Sequence, residues 1–304
     1  MSAHLYVTLP ERGVLAVSGP DSRSFLQGLI SNDVMRVSPD RAIHAALLTA
    51  QGRYLHDFFI TAIGERLLLD CEAARRDDLT KRLKLYKLRS KVTLEDATEG
   101  FAVAALPGAD AAAVLGLVGE PGAAKPLGGG VVYVDPRLAA IGARALLPRA
   151  EAEATLAGAG FAPAPREAYE AQRLALGLPD GSRDLEVERA ILLENGFDEL
   201  NGVDWKKGCF VGQELTARTK YRALIRKRLL PVRIDGPAPA PGTTVTLGEQ
   251  EAGEMRSAGD GMGLALMRLE LLDKQQTDGG SFTAGSARLT PLKPDWVRVQ
   301  AQGS

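Results

Sequence analysis

Apolar and polar residues alternate over residues 5–17, which predicts sheet, and a turn at Gly19-Pro20-Asp21 then leads into a helix reaching residue 30, with Asp21 as its cap. An apolar strand over 44–49 follows, ending at Gln51-Gly52-Arg53. The segments 54–63 and 66–71 read as two strands joined through Gly64. From 73 to 90 the period changes to that of a helix: Leu79, Leu83 and Tyr86 recur at helical spacing, and Arg75, Arg76, Lys81, Arg82, Lys84, Lys87 and Arg89 fill the remainder. Strands over 92–95 and 101–105, a helix over 109–117 and strands over 131–134 and 143–147 continue an alternation of the two element types. The Gly-, Pro- and Ala-rich stretch 119–130 reads as a surface loop. Pro163-Ala164-Pro165 marks a boundary, and 166–176 is a further helix. Beyond Leu229, alternating apolar residues among Gly, Thr and Pro predict a small all-β module, a barrel, to the C-terminus.

Composition narrows the function classes. A chain of 304 residues with 45% hydrophobic residues predicts two domains, or three small ones. A net charge of -1 gives no global drive toward nucleic acid or an anionic membrane. No apolar run reaches the roughly twenty residues that cross a bilayer. Cys71 and Cys209 are too few for a disulfide framework and the start lacks a secretory pattern, so a cytoplasmic, reducing setting is expected. His4, His44 and His56 are scattered without metal-ligand spacing, so no metal site of the chain's own is expected.

The densest chemistry lies in KKGCFVGQELTAR, residues 206–218. Gly208 and Gly212 predict two turns around Cys209-Phe210-Val211 before a helix that begins near Gln213 or Glu214. Lys206, Lys207 and the helix start favour a thiolate at Cys209, as nucleophile or as soft-metal ligand; the residues alone leave the choice open. Lys207-Gly208-Cys209-Phe210-Val211-Gly212-Gln213-Glu214 resembles the K-G-C-[FY]-x-G-Q-E signature of the YgfZ family of folate-binding proteins, relatives of the glycine-cleavage T-protein (aminomethyltransferase). A second stretch, Phe25-Leu26-Gln27-Gly28-Leu29-Ile30-Ser31-Asn32-Asp33, is similar to F-L-x-x-x-x-[ST]-N-D near that family's start.

The resemblance implies an α+β, T-protein-like multidomain fold, with ferredoxin-like α/β units around a central cavity and a small C-terminal β-barrel. The expected division is 1–52 with 166–228 as a discontinuous folate-binding domain, 53–165 as a ferredoxin-like domain, and 229–304 as the barrel. It also implies tetrahydrofolate or a derivative as cofactor. A pterin edge offers donors to a carboxylate, and its glutamate tail wants cations. Glu194 stands where the family's pterin-binding acid is expected; the other reading is a solvent-facing turn residue. Arg173, with Gly177 and Pro179, resembles R-x-x-x-G-x-P, and lines the pocket or braces Glu194 unless it is an exposed helix arginine. Asn32 and Asp33 either cap a turn or face the pterin. Cys209 and Asp57 are the reactive candidates, and Lys207, Gln213, Glu214 and Arg218 complete the expected binding set. At Gly52-Arg53-Tyr54-Leu55-His56-Asp57, aminomethyltransferases look like G-G-[IV]-x-D-D, so Arg53 and His56 depart from that chemistry. His56 next to Asp57 reads as a structural pair before an acid–base couple.

The implied function is a tetrahydrofolate-binding accessory factor for assembly or repair of iron–sulfur enzymes, including tRNA-modifying ones, with those enzymes or assembly proteins as partners and no membrane. Whether any reaction is catalysed stays open. Aminomethyl transfer from a lipoyl carrier is the rival reading. A folate-independent RNA-binding or scaffold protein is the third, resting on Arg218, Lys220, Arg222, Arg226, Lys227 and Arg228 and on the basic helix. Direct tRNA contact stays open: a solvated face is the default reading of both cationic runs, a folate polyglutamate tail competes for the first, and an acidic protein partner would fit the helix as well as RNA.

Overall fold

The computed structural model describes residues 4–222 and 225–298. Residues 223–224, inside the basic run, and 299–304, at the end of the expected barrel, lie outside the described residues. The chain forms two compact units: 1–48, 55–169 and 200–211 in one, and 49–54, 170–199 and 212–304 in the other. This differs from the expected division. Residues 53–165 do not separate from the N-terminal segment, because the strand Arg12–Ser18 sits between Arg66–Glu72 and Thr93–Asp96 in a sheet, and His4–Thr8 pairs with Phe101–Pro107 in another.

The first unit contains both of those sheets. One has five strands, ordered Ile43–Leu48, Tyr54–Ile63, Arg66–Glu72, Arg12–Ser18, Thr93–Asp96. The other has six, ordered Phe161–Pro163, His4–Thr8, Phe101–Pro107, Gly142–Pro148, Gly130–Val134, Ala124–Leu127. The last strand falls in the stretch expected to be a loop. Its hairpin partner is reached through Gly128 and Gly129 at φ 52 and 75, the two positive values a tight hairpin turn demands, and Pro126 is tolerated because the strand lies at the sheet edge. The helix expected over 109–117 shrinks to Ala111–Val114, stopped by Gly116 in the left-handed region. The long basic helix is Arg76–Lys87, preceded by a 3-10 turn at Ala73–Arg75.

A buried ionic cluster joins side chains from the two sheets. The Asp70 carboxylate accepts from Arg12 Nε at 2.6 Å and from Arg144 at 2.7 Å, while Asp135 pairs with Arg137 at 2.8 Å. Arg144 also lies 4.1 Å from the centre of the Phe59 ring, so aromatic face and carboxylates share the buried charge.

In the second unit a closed six-stranded barrel runs Lys227–Asp235, Met262–Arg268, Gln250–Gly259, Thr244–Leu247, Phe282–Ala284, Ala287–Pro291, and pairing of the first with the last leaves no free edge. Alternate residues Val232, Val245, Met255, Met267 and Phe282 fill its core. Each such side chain contributes about 1.5–3 kcal/mol by leaving water. The helix Leu269–Asp278, absent from the sequence reading, packs Leu271 against that core.

Candidate functional site

In the first unit the two motif stretches, far apart in sequence, are laced together. Ser31 donates its hydroxyl to the Gly202 carbonyl at 2.6 Å, Asp204 N–H donates to Ser31 O at 3.0 Å, and Val211 N–H donates to Gly28 O at 3.2 Å. Gln27 bridges them: its amide donates to Asp33 Oδ1 at 2.9 Å and to the Lys207 carbonyl at 3.2 Å, and its oxygen accepts from Val34 N–H. Gln27 stands inside the matched motif, yet nothing in its spacing singles it out as the bridge.

Asp33 spends one oxygen on the Met35 amide, capping the 3-10 turn Val34–Arg36, so the capping reading describes its contacts. Asn32 is buried and donates to the carbonyls of His44 and Asn201, both at 2.7 Å. The Lys207 ammonium turns inward to the Ile30 carbonyl and lies 5.3 Å from the Phe210 ring centre. Burial lowers its pKa to about 8 against the opposing pull of Asp33 and Asp204. With Phe210 buried and Lys207 anchored, the loop backbone is fixed on both sides of Cys209, whose own side chain is exposed. Gly208 at φ 94 and Gly212 at φ 81 provide the left-handed turns the motif predicts. Cys71 is the contrast: buried, with burial pushing its thiol up to about 12.

Adjacent strand residues point to opposite faces, and this separates His56 from Asp57. Asp57 meets His44 at 3.1 Å, both buried. His56 points the other way and meets Asp78, on the helix Arg76–Lys87, at 2.8 Å. The expected His56–Asp57 pair is therefore corrected: each residue is paired, but not with its neighbour. A cavity of about 240 Å³ is lined by Asn32, His44, Arg36, Arg41, Glu120 and Asn201, among others.

His56 carries a pH prediction. Burial first, then Arg75, holds its pKa down to about 4 from 6.5, against the hydrogen bond to Asp78. Between those values the unfolded chain takes a proton that the folded chain refuses, so stability is complete above 6.5 and falls as pH drops. The loss by pH 4 is about 3 kcal/mol. Buried His44, lowered by burial as well, adds to it. Urea unfolding at a series of pH values should show His56→Gln with a shallower decline across this window than the parent.

In the second unit, Gly52 at φ 78 packs so closely on the start of helix Gln213–Tyr221 that an added Cβ would lie 2.7 Å from the Gly212 carbonyl. On that helix Gln213 is half-buried, and Glu214 and Arg218 are exposed. Arg173 is fully buried: it donates to Asp184 at 2.6 Å, to the Leu178 carbonyl at 2.7 Å and to Glu170. Its expected cofactor contact is corrected to a structural one, since every guanidinium nitrogen is turned to a protein acceptor. Arg228 likewise leaves the cationic run to pair with Glu199 at 2.6 Å, and Lys220 pairs with Asp198.

Glu194 is half-buried in a cavity of about 310 Å³ that also holds Arg53, Arg189, Lys227 and Arg256. Burial raises its pKa, opposed by Lys227 and Arg53. Of the residues expected around one hollow, Asn32 lines the cavity in the first unit and Glu194 the one in the second, while Asp33 and Asp57 line neither. Among the described residues no three His, Cys, Asp or Glu side chains come together to hold a metal.

Comparison with known proteins fits this geometry. Residues 11–123 match the GCVT N-terminal domain, and residues 226–299 match the CAF17 C-terminal beta-barrel domain. Aminomethyltransferase T of the glycine cleavage system from Bartonella henselae has the same fold: its structure superposes with a TM-score of 0.75 over 97% of this chain and 87% of its own, at 17% identity. The iron-sulfur cluster assembly factor IBA57, mitochondrial, of Mus musculus is 34% identical over 97% of this chain and 86% of its own. Its Homo sapiens counterpart is 36% identical over 95% and 84%. These names correct the cytoplasmic expectation, because the relatives are mitochondrial proteins; two cysteines do not distinguish the cytoplasm from other compartments. With over a third of its residues shared across most of both lengths, the chain belongs to the family of the iron–sulfur cluster assembly factor IBA57, built on a T-protein-like fold with a CAF17-type barrel.

Proposed function

We propose that the chain is an accessory factor in iron–sulfur protein assembly, of the YgfZ type by its KGC run, that binds tetrahydrofolate and works through Cys209. The observation that carries this reading is the exposure of Cys209 on a loop whose backbone is pinned on either side. A sulfur there is accessible to a cluster or to a thiol-reactive species. No set of three metal-binding side chains is available among the described residues, so a cluster passing through this point is cargo, and its remaining ligands come from a partner.

The cavities suit a folate. Glu194 supplies the carboxylate acceptor for pterin N–H groups, and Arg53 and Lys227 in the same cavity supply cations for a glutamate tail, Arg189 and Arg256 being paired there with Glu186 and Glu254. The cavity of Asn32 and His44, with Arg36 and Arg41, offers a second polar lining, in which Asp57 holds the His44 ring. A bound folate would supply one-carbon chemistry; the chain's residues would bind and orient it. Gln213, Glu214 and Arg218 stay in the proposal as groups around the loop, and tRNA-modifying enzymes stay among the proposed clients.

Expression of the chain in cells deprived of their own IBA57 tests this. Recovery of iron–sulfur enzyme activities is expected, and their absence with the protein present at normal level counts against the function. The rival, aminomethyl transfer, predicts methylenetetrahydrofolate from a loaded lipoyl carrier. It is disfavoured by Arg53, which donates to the Arg189 carbonyl, and by Cys209 where the T-protein pattern has an acid. His56 no longer speaks on this point, because it faces away from Asp57.

A further inference from the structure

The end of the basic helix carries an apolar feature that folding does not use. Leu85 is 73% exposed and Leu88 89%, with Tyr86 at 43% between them. Leu85 lies in the last turn of the helix and Leu88 at its C-cap, three residues on. Leu88 also has φ 42, a left-handed conformation that costs a side chain with a Cβ about 1 kcal/mol or more. A leucine both strained and solvated gains nothing from the fold that would offset either penalty.

Cations surround these residues. Lys81, Lys84, Lys87, Arg89 and Lys91 make no ion pair among the described residues, whereas their neighbours Arg76 and Arg82 are neutralised by Asp77, Asp96 and Asp78. Five unpaired positive charges within eleven positions stand out on a chain whose net charge is -1. Beside Leu88 an open groove of about 600 Å³ runs between Asp21, Arg89 and Ser90.

We propose that this helix end is a docking surface for an acidic polypeptide segment that carries aliphatic side chains. The cations select for acid, and the leucines need apolar partners, which a phosphate backbone does not offer; Tyr86 alone makes a poor stacking platform for bases. A polypeptide meets all of these demands together, its carboxylates on the lysines and its aliphatic groups against Leu85 and Leu88. The inference stands apart from the folate and cysteine reading, since no residue is shared between them.

The test is selection of a random-peptide display library on the full chain, with counter-selection on the Leu85→Ser/Leu88→Ser variant. Peptides rich in Asp and Glu with interspersed Leu, Ile or Phe are expected. Their affinity should fall by about tenfold or more for that variant and for Lys84→Glu/Lys87→Glu, with both variants still folding cooperatively in thermal unfolding because none of the four side chains is buried. Recovery of no such peptide, or affinities indifferent to both variants, overturns the proposal. So does tighter binding of single-stranded oligouridylate, or of phosphatidylserine vesicles, that both variants abolish.

Discussion

Asp70→Asn should lower the unfolding free energy by about 3–5 kcal/mol, a large part of the 5–15 kcal/mol typical of a folded domain. Asp70 is 1% exposed, and its two oxygens serve two different guanidiniums: Arg12 at 2.6 Å and Arg144 at 2.7 Å. Asparagine keeps the shape but removes the charge, and it puts an N–H donor where one arginine now finds an acceptor. Arg12 and Arg144 would then remain buried and positive, with Asp135 the nearest other acid to Arg144 at 4.0 Å. Urea unfolding followed by circular dichroism reads the change. Asp77→Asn is the control: the Asp77 side chain is 89% exposed in its pair with Arg76, and water screens the loss, so the midpoint should not move. Equal effects from the two substitutions would contradict the assignment of the buried cluster as a keystone of the first unit.

Cys209→Ala should abolish recovery of iron–sulfur enzyme activity in deprived cells while leaving the unfolding midpoint within about 0.5 kcal/mol of the parent. The side chain is exposed, so its loss leaves no cavity, and the loop is held by Lys207, Phe210 and main-chain bonds that do not involve the sulfur. Cys71→Ala separates function from thiol content. That thiol is buried and raised to about 12, so an electrophilic disulfide reagent should label Cys209 alone in the folded protein, and recovery should survive the substitution at 71. Full recovery by Cys209→Ala would remove the thiol from the function.

The barrel was legible in the sequence because its strands alternate in the period of two with glycine and proline between them, and the T-protein-like fold was legible through two motif stretches. The hairpin over 124–134 was hidden because Gly128 and Gly129, read as part of a surface loop, are the residues a tight turn requires. The division into units was misread because strand pairing between the N-terminal segment and 66–107 is long-range and leaves no local mark. At the site, residue types were readable but directions were not. His56 and Asp57 are neighbours in sequence yet lie on opposite faces of a strand, and Arg173 resembles a ligand contact while it is sealed against Asp184. The Gln27 bridge depends on two segments meeting, which no spacing within either segment encodes.

Thermal unfolding with and without tetrahydrofolate tests the proposed ligand most directly. A ligand that binds only the folded chain adds about 2.7 kcal/mol when present at a hundred times its Kd. The account predicts a rise in Tm that grows with ligand concentration for the parent and is largely lost in Glu194→Ala, whose carboxylate lines the cavity of about 310 Å³. A parent Tm that stays fixed as tetrahydrofolate is raised would contradict it.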